Sequence, residues 1–411
     1  MATSTDWNLP GVHLTESMRD ANEFDLESAT AVPIFIGWDE NKSGGEAGNA
    51  IQKVATWSSF LALTENNAGL QWVSPTLKTA IRLYFDNGGG TCYVMETPFQ
   101  PKSDTSFKQE HFLPLLQEMN VTLLAIPQLV GWAGSDEKKL ANAWLSVFQT
   151  CRQRQNVFYV LDAPLDPGKA VEFMLCFQNQ GGGRDFGQHA ALYGPHLQTA
   201  YDEASGSDVK WVPPSGAVLG LMARVDEHQG VWKAPANEVL MQVVAPSCRE
   251  TQIKNWFHKD KPSINLIRSF PGRGVRVWGC RTQCDQAASP YRFVQVRRTV
   301  GWIEENLRQI SRFAVFEPNN EMTWIQLHGL CSGWLKRVWL SGGLAGMTEE
   351  EAFSVRVGLN VSMTAEDIDM GKLIVKVGLA VLRPAEFVDV NLILTLNNTH
   401  SEVSQLTGGV A

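Results

Sequence analysis

The 411-residue sequence has no block of basic residues. Its 35 Lys and Arg stand against 43 Asp and Glu, and the formal net charge of −8 is spread along the chain. Nothing in it would track a phosphate backbone, so nucleic-acid binding is disfavoured. The opening stretch MATSTDWNLPG has no basic segment leading into an apolar run, and no secretory signal is expected. Long hydrophobic runs are also missing: the best, VTLLAIPQLVGWAG, is too short to span a bilayer, so no membrane insertion is expected. The seven cysteines are an odd number at scattered positions, which argues against a disulfide framework. Cys280 and Cys284 in CRTQC have no second Cys or His pair beside them. They read as buried free thiols rather than metal ligands.

Signatures of catalysis are equally scarce. The eight histidines form no H-E-x-x-H, and no serine sits in a G-x-S-x-G elbow. GGGRDFG (181–187) is rich in glycine but lacks the Lys-Ser/Thr ending of a phosphate loop, and reads as a loop between strand and helix. Asp162 in VLDAPLD falls at the carboxyl end of a strand, where open α/β sheets hold ligands. With no His or second acid near it in sequence, it reads as a carboxylate capping the following turn. Glu366, Asp367 and Asp369 in TAEDIDMGK are a solvated helix start. Asp226, Lys233 and Asn237 around GVWKAPANE are expected to satisfy buried backbone in an ordered crossing loop, with Trp232 buried. No catalytic residue, cofactor or metal follows from any of these.

What the chain does have is 44% hydrophobic residues and 14 tryptophans, a composition of cores and of protein–protein contact surface. The length predicts two or three domains. Strands are expected at 29–38, 121–127, 157–163 and 189–195. Helices are expected at 56–65 behind Thr56, at 137–155 and at 167–180. Residues 74–97 read as helix, glycine stop and strand. Alternation of this kind, with nearly continuous apolar strands, predicts a largely parallel sheet covered on both faces. Farther on, PPSG turns the chain into a helix at 216–225 and PGRGVRVWG forms a tight turn feeding a strand. The last third differs: helices at 297–316 and 319–344, a strand at 352–361, a capping box from Thr364 to Asp367, and strict alternation of Leu373, Val375, Val377, Leu379 and Val381. This part reads as mixed α+β.

Both chain ends read as extended with one oily face. LPGVHLTE (9–16) carries Val12 and Leu14. FVDVNLILTL (387–396) sets Val388, Val390, Leu392, Leu394 and Leu396 on one side of a half-buried strand. A terminal strand this apolar must pair with something. From the residues alone, return to its own sheet and addition to a neighbour stand equal, since both use the same backbone hydrogen bonds.

LPGVHLTE, NGGGTCYVM, LDAP, AALYGP, VPPSGAVLGLMARVDEHQGVWKAPANE, INLIRSFPGRGVRVWGCRT, VQVRRTVGWIEENLRQISRFAVFEPNNEMTW and DIDMGKLIVKVGLAVLRPAEFV, in this order, resemble the contractile tail sheath proteins of myophages and phage-tail-like injection particles. The resemblance runs from about residue 9 to 396. It implies a fold of α/β plus α+β. An N-terminal arm would occupy 1–20 and the N-terminal part of the core 21–118. A non-catalytic α/β domain similar to subtilisin would occupy 119–285, a C-terminal α+β sheath domain facing the inner tube 286–385, and a C-terminal arm 386–411. It implies a structural subunit, not an enzyme, that polymerises around an inner tube and contracts, with Val12, Leu14, Val388, Val390, Leu392, Leu394 and Leu396 in arms exchanged between subunits. The implied partners are neighbouring sheath subunits, with or without paralogues, the inner tube protein, and baseplate and terminator or cap proteins. Assembly would take place in a bacterial cytoplasm, for a virion tail or a released particle. Two rival readings remain: an α/β hydrolase-like enzyme using Asp162 and the loop at 181–189, and a nonpolymerising baseplate or cap protein with the same fold.

Overall fold

In the computed structural model of the chain, the described residues are 28–38, 50–65, 70, 73–97, 120–152, 154, 156–201 and 211–386. The arm residues Val12, Leu14, Val388, Val390, Leu392, Leu394 and Leu396 lie outside them.

An eight-stranded sheet dominates. Its strands are β1 (Pro33–Gly37), β2 (Ala50–Val54), β3 (Cys92–Glu96), β4 (Leu123–Ala125), β5 (Phe158–Asp162), β6 (Ala190–Gly194), β9 (Asn265–Phe270) and β10 (Gly274–Trp278). The order across the sheet is β10-β9-β6-β5-β4-β1-β3-β2, while β7 (Leu197–Thr199) and β8 (Val243–Pro246) form a separate antiparallel pair. Neighbours from β9 through to β3 run parallel, and the two edge strands β10 and β2 are antiparallel to their partners. The sheet therefore draws strands from both 21–118 and 119–285.

Each central strand is oily on both faces because each face is covered. Ile34, Ile36, Leu124, Tyr159 and Leu161 point into one core beneath α3 (Gln128–Ala133), α4 (Glu137–Thr150) and α5 (Pro167–Asn179). Phe35, Val94, Leu123, Val160 and Tyr193 point into the other, beneath α1 (Trp57–Glu65), α2 (Pro75–Asp86) and α6 (Ser215–Gln229). The helix starts are fixed by side chains written into the sequence. Ser74, Asp136 and Asp166 each accept a backbone N–H of the first turn, at 3.1, 2.9 and 2.8 Å. Thr56 does the same for α1 through Ser59 N–H. The expected glycine stop after α2 is present, with Gly88 at φ +98°.

α2 and α6 meet backbone to backbone. A Cβ added at Gly216 would stand 2.1 Å from the carbonyl oxygen of Ala80, and one at Gly220 would stand 2.3 Å from that of Tyr84. The two glycines of SGAVLG are thus contact points, and only a hydrogen fits there.

The C-terminal part is built from α7 (Val294–Ile310), α8 (Glu321–Leu340) and a two-stranded antiparallel sheet of β11 (Phe353–Arg356) and β12 (Lys376–Leu379). Its own core gathers Trp302, Ile303, Trp334, Leu335, Val338 and Phe353, with Leu307, Ile310, Val377 and Leu379 packed against it. Ile303, Leu307 and Ile310 form the face of α7 that packs inward. The short helix at Ala365–Asp369 carries the expected capping box, with Asp367 N–H donating to Thr364 Oγ1 at 3.2 Å.

Three expectations are corrected. The strand expected at 352–361 ends at Arg356, because Gly358 (φ +141°) and Asn360 (φ +60°) turn the chain. The alternation at 372–382 becomes a strand only over 376–379. The glycine run 181–187 does not join a strand to a helix. Gly181 (φ +87°) closes α5, Gly182–Asp185 form a helical turn, and β6 follows.

Candidate functional site

The carboxyl end of the parallel strands opens into a cleft of about 690 Å³, lined in part by Gln128, Asp166, His196 and Cys248. Three of its polar side chains are taken up by backbone. Asp166 caps α5. Gln128 accepts Trp38 N–H through Oε1 and donates to Trp38 O through Nε2, both at 3.1 Å. His196 Nε2 donates to Ala163 O at 2.9 Å, and burial pushes its pKa down to about 4. A ring kept neutral and tied to a carbonyl through Nε2 holds its neighbourhood together.

Asp162 lies deeper, 1% exposed. It does not cap the turn that follows it. Its Oδ1 accepts the N–H of Ser215, 53 residues away, at 2.7 Å and so caps the start of α6. Burial raises its pKa to about 7, and the bond from Ser215 opposes that rise. The loop at 181–189 contributes no partner to it.

Cys280 is buried and Cys284 half-buried, both free thiols. Among the described residues, no group of three or more His, Cys, Asp and Glu is placed to hold a metal ion, and no helix is long and apolar enough to cross a membrane. Lys233 and Asn237 are exposed and Trp232 is half-buried. Asp226 has a different role from the one expected. Rather than satisfying loop backbone, it forms a two-pronged ion pair with Arg298 of α7 at 2.5 and 3.1 Å, with side chains 4% and 2% exposed.

The polar side chains that reach farthest in sequence gather along α7, at the other end of the sheet. A cleft of about 210 Å³ there is lined by Thr30, Thr122 and His189, which directly precede strands, and by Arg297, Arg298 and Trp302 of the helix. The stretch 28–32, which leads into β1, is stitched to the helix. Ser28 N–H donates to Asn306 Oδ1 at 2.9 Å, Trp302 Nε1 donates to Ser28 O at 2.8 Å, and Arg298 donates to Thr30 O at 3.1 Å.

Glu386 is held just before the same helix. Arg281 grips Glu386 with contacts of 2.8, 3.0 and 2.5 Å, the two side chains being 4% and 14% exposed. Its guanidinium also donates to Lys259 O at 2.8 Å and lies over the rings of Phe257 and Phe293. Sequence reasoning quoted every motif that holds these residues but assigned them no role. The signal present was charge inside apolar motifs: Arg298 in VRRTVGW and Arg281 in GCRT. A buried cation of this kind requires an acid elsewhere in the chain.

Residues 286–395 match the phage tail sheath C-terminal domain family. The chain is 32% identical to a chain of the PVC sheath complex, an extracellular contractile injection system in its contracted state. That match covers 96% of this chain and 99% of that one with a TM-score of 0.70. It is also 32% identical to a chain of the anti-feeding prophage baseplate in its contracted state, over 95% and 99%, with a TM-score of 0.77. The tail sheath protein of Enterobacteria phage T4 is 24% identical over 226 residues, 54% of this chain. The chain spans only about a third (32%) of the length of that curated relative. Likeness along almost the entire length of the injection-system chains settles the classification: the chain belongs to the contractile tail sheath family.

Proposed function

We propose that the chain is the structural subunit of a contractile sheath, polymerising around an inner tube and shortening to drive that tube through a target envelope. The observation that carries this is the match to 99% of a chain in a contractile injection-system sheath. The sheath subunit does no covalent chemistry in this reading, in keeping with polar groups at the sheet's carboxyl end that are occupied by backbone. The α/β part, three layers around parallel strands, corresponds to the subtilisin-like domain of sheath proteins and points outward. The C-terminal domain faces the tube, and baseplate and cap proteins close the ends of the cylinder.

The arms link neighbours by strand addition. β11 and β12 support this: four residues each, they pair only with one another among the described residues. A two-stranded sheet is marginal by itself, and its outer edges offer backbone groups to a further strand. Val12 and Leu14 of one neighbour, with Val388, Val390, Leu392, Leu394 and Leu396 of another, supply apolar faces suited to such a sheet. With arms paired, each body can turn as a rigid unit while the lattice shortens and widens. The extended lattice is the kinetically trapped form. A gain of ~1 kcal/mol per subunit, the scale of one net hydrogen bond, accumulates over the whole sheath.

Truncation tests this. Chains lacking residues 1–16, or lacking 387–411 so that Glu386 is retained, are expected to stay folded and to form no cylinders by electron microscopy. Normal contractile cylinders from both would refute the reading.

A further inference from the structure

The cleft of about 210 Å³ beside α7 is lined by three guanidiniums, Arg297, Arg298 and Arg312, and one acid, Glu305. Arg298 is paired with Asp226, Arg297 with Glu304 at 2.7 Å, and Glu305 with Arg308. Arg312 is exposed and has no acid partner among the described residues. The Arg297 side chain is 8% exposed and spends one of its N–H donors on Glu304. Its other donors make no hydrogen bond among the described residues, and such a group calls for a further acceptor. Ser28 also lines the cleft. The residues just ahead of it, DANEFDLE (20–27), hold Asp20, Glu23, Asp25 and Glu27 and no base. Glu23, Asp25 and Glu27 stand at every second position, so an extended chain presents all three on one side. Three residues reach at most about 10 Å, enough to bring Asp25 to the cleft from Ser28. The other stretch that runs up to the cleft from outside the described residues is 98–119, ahead of Asn120. It is near balance, with Lys102 and Lys108 against Asp104, Glu110 and Glu118.

We propose that this cleft is the seat of the chain's own acidic segment 20–27, with Asp25 against Arg312 and Glu27 sharing the Arg297 guanidinium with Glu304. Charge selects this segment: its acids face a cation left without a partner, whereas 98–119 brings bases of its own. Position selects it too. The backbone of Ser28 is held by Asn306 and Trp302, so the acids that precede it are tethered at the mouth of the cleft. At that effective concentration, ion pairs that are weak singly hold together. The contact is internal to one chain and stands apart from the sheath reading. In a sheath it would leave only the residues ahead of Asp20 free to reach a neighbour.

A glutamate-specific protease tests this in the full-length chain. The Glu23–Phe24 bond lies inside the segment, and the Glu16–Ser17 bond, ahead of it, is the internal reference. Both rates are taken relative to a free peptide of residues 10–30, in which nothing is seated. At low salt, cleavage after Glu23 should be slowed roughly tenfold, the combined worth of two or three ion pairs, while cleavage after Glu16 is not slowed. Salt at about 1 M, where the screening length falls to about 3 Å, should remove most of the difference without any variant. Arg312→Glu, at an exposed side chain, should leave the melting temperature nearly unchanged and bring cleavage after Glu23 close to the rate in the peptide. Adding Asp25→Arg to Arg312→Glu should slow it again, which a merely structural role for Arg312 would not produce. Equal relative rates after Glu16 and Glu23 at low salt would overturn the proposal, as they would if Glu118 or a free anion filled the cleft. Slowing that fades as the protein is diluted would give the seat to a second copy's segment, and would overturn it as well.

Discussion

Replacing Asp162 with Asn should stabilise the protein in neutral solution and leave it unchanged in acid. The carboxyl is 1% exposed. Oδ1 accepts Ser215 N–H, while Oδ2 has no hydrogen-bond partner among the described residues. Burial lifts the pKa from 3.8 to about 7. The folded chain therefore holds a proton that the unfolded chain releases once the pH passes about 4. Stability from this group is full below that point and is lost progressively as the pH rises to about 7. A shift of roughly three units at 1.36 kcal/mol each bounds the loss at about 4 kcal/mol. Asn keeps an acceptor for Ser215 N–H and cannot ionise. His196 and His189, both pushed down to about 4 mainly by burial, act in the opposite sense: their contribution is lost as the pH falls from about 6.5 to 4. They are common to both proteins, so the comparison isolates Asp162. Denaturant melts at about pH 4, 6 and 8 should show the two proteins equal in acid, with the variant ahead by up to about 4 kcal/mol at the top. An advantage that does not change with pH, or a more stable unsubstituted chain at about pH 8, would show that Asp162 is ionised in the fold and refute the argument.

Asp226→Ala strands a guanidinium whose side chain is 2% exposed and should cost roughly 3–5 kcal/mol in thermal or denaturant melts. The double change Asp226→Leu with Arg298→Met should recover most of that, short of about 1 kcal/mol for the lost bond to Thr30 O. Gly216→Ala drives a methyl to 2.1 Å from Ala80 O. Separating α2 from α6 should cost about 2–3 kcal/mol, whereas Gly90→Ala, with nothing within 4 Å of the added carbon, should stay within about 0.5 kcal/mol of the unsubstituted chain.

Much of the fold was legible because the signals that set it are local. Nearly continuous apolar strands, helices at 3.6-residue spacing, the caps Thr56 and Thr364, and the stop at Gly88 all act within a few residues of themselves. What escaped was decided by partners far along the chain. Asp162 was read against its own turn, but the N–H it accepts is at Ser215. Asp226 was assigned to loop backbone, but its partner is 72 residues on. Gly216 reads as the end of a turn into a helix and Gly220 as part of that helix, while their reason lies in the backbone of α2. The last strands came out shorter than their pattern because alternation records which side chains face the core. It does not say where the backbone turns away, as it does at Gly358.

These long-range pairings also explain how a sheet of this kind can be free of chemistry. The carboxyl end of a parallel sheet collects loops and polar side chains, and in enzymes some of them are left free to meet a ligand. Here Asp162, Gln128 and His196 each spend a hydrogen bond on backbone from another element, and Asp166 spends its own on the helix it caps, which rigidifies that end. At the opposite end the side chains of α7 reach instead to the stretch 28–30 that leads into β1. In a sheath subunit these groups can all be spent on holding elements together. That division of hydrogen bonds between the two ends is what separates this use of the fold from a catalytic one.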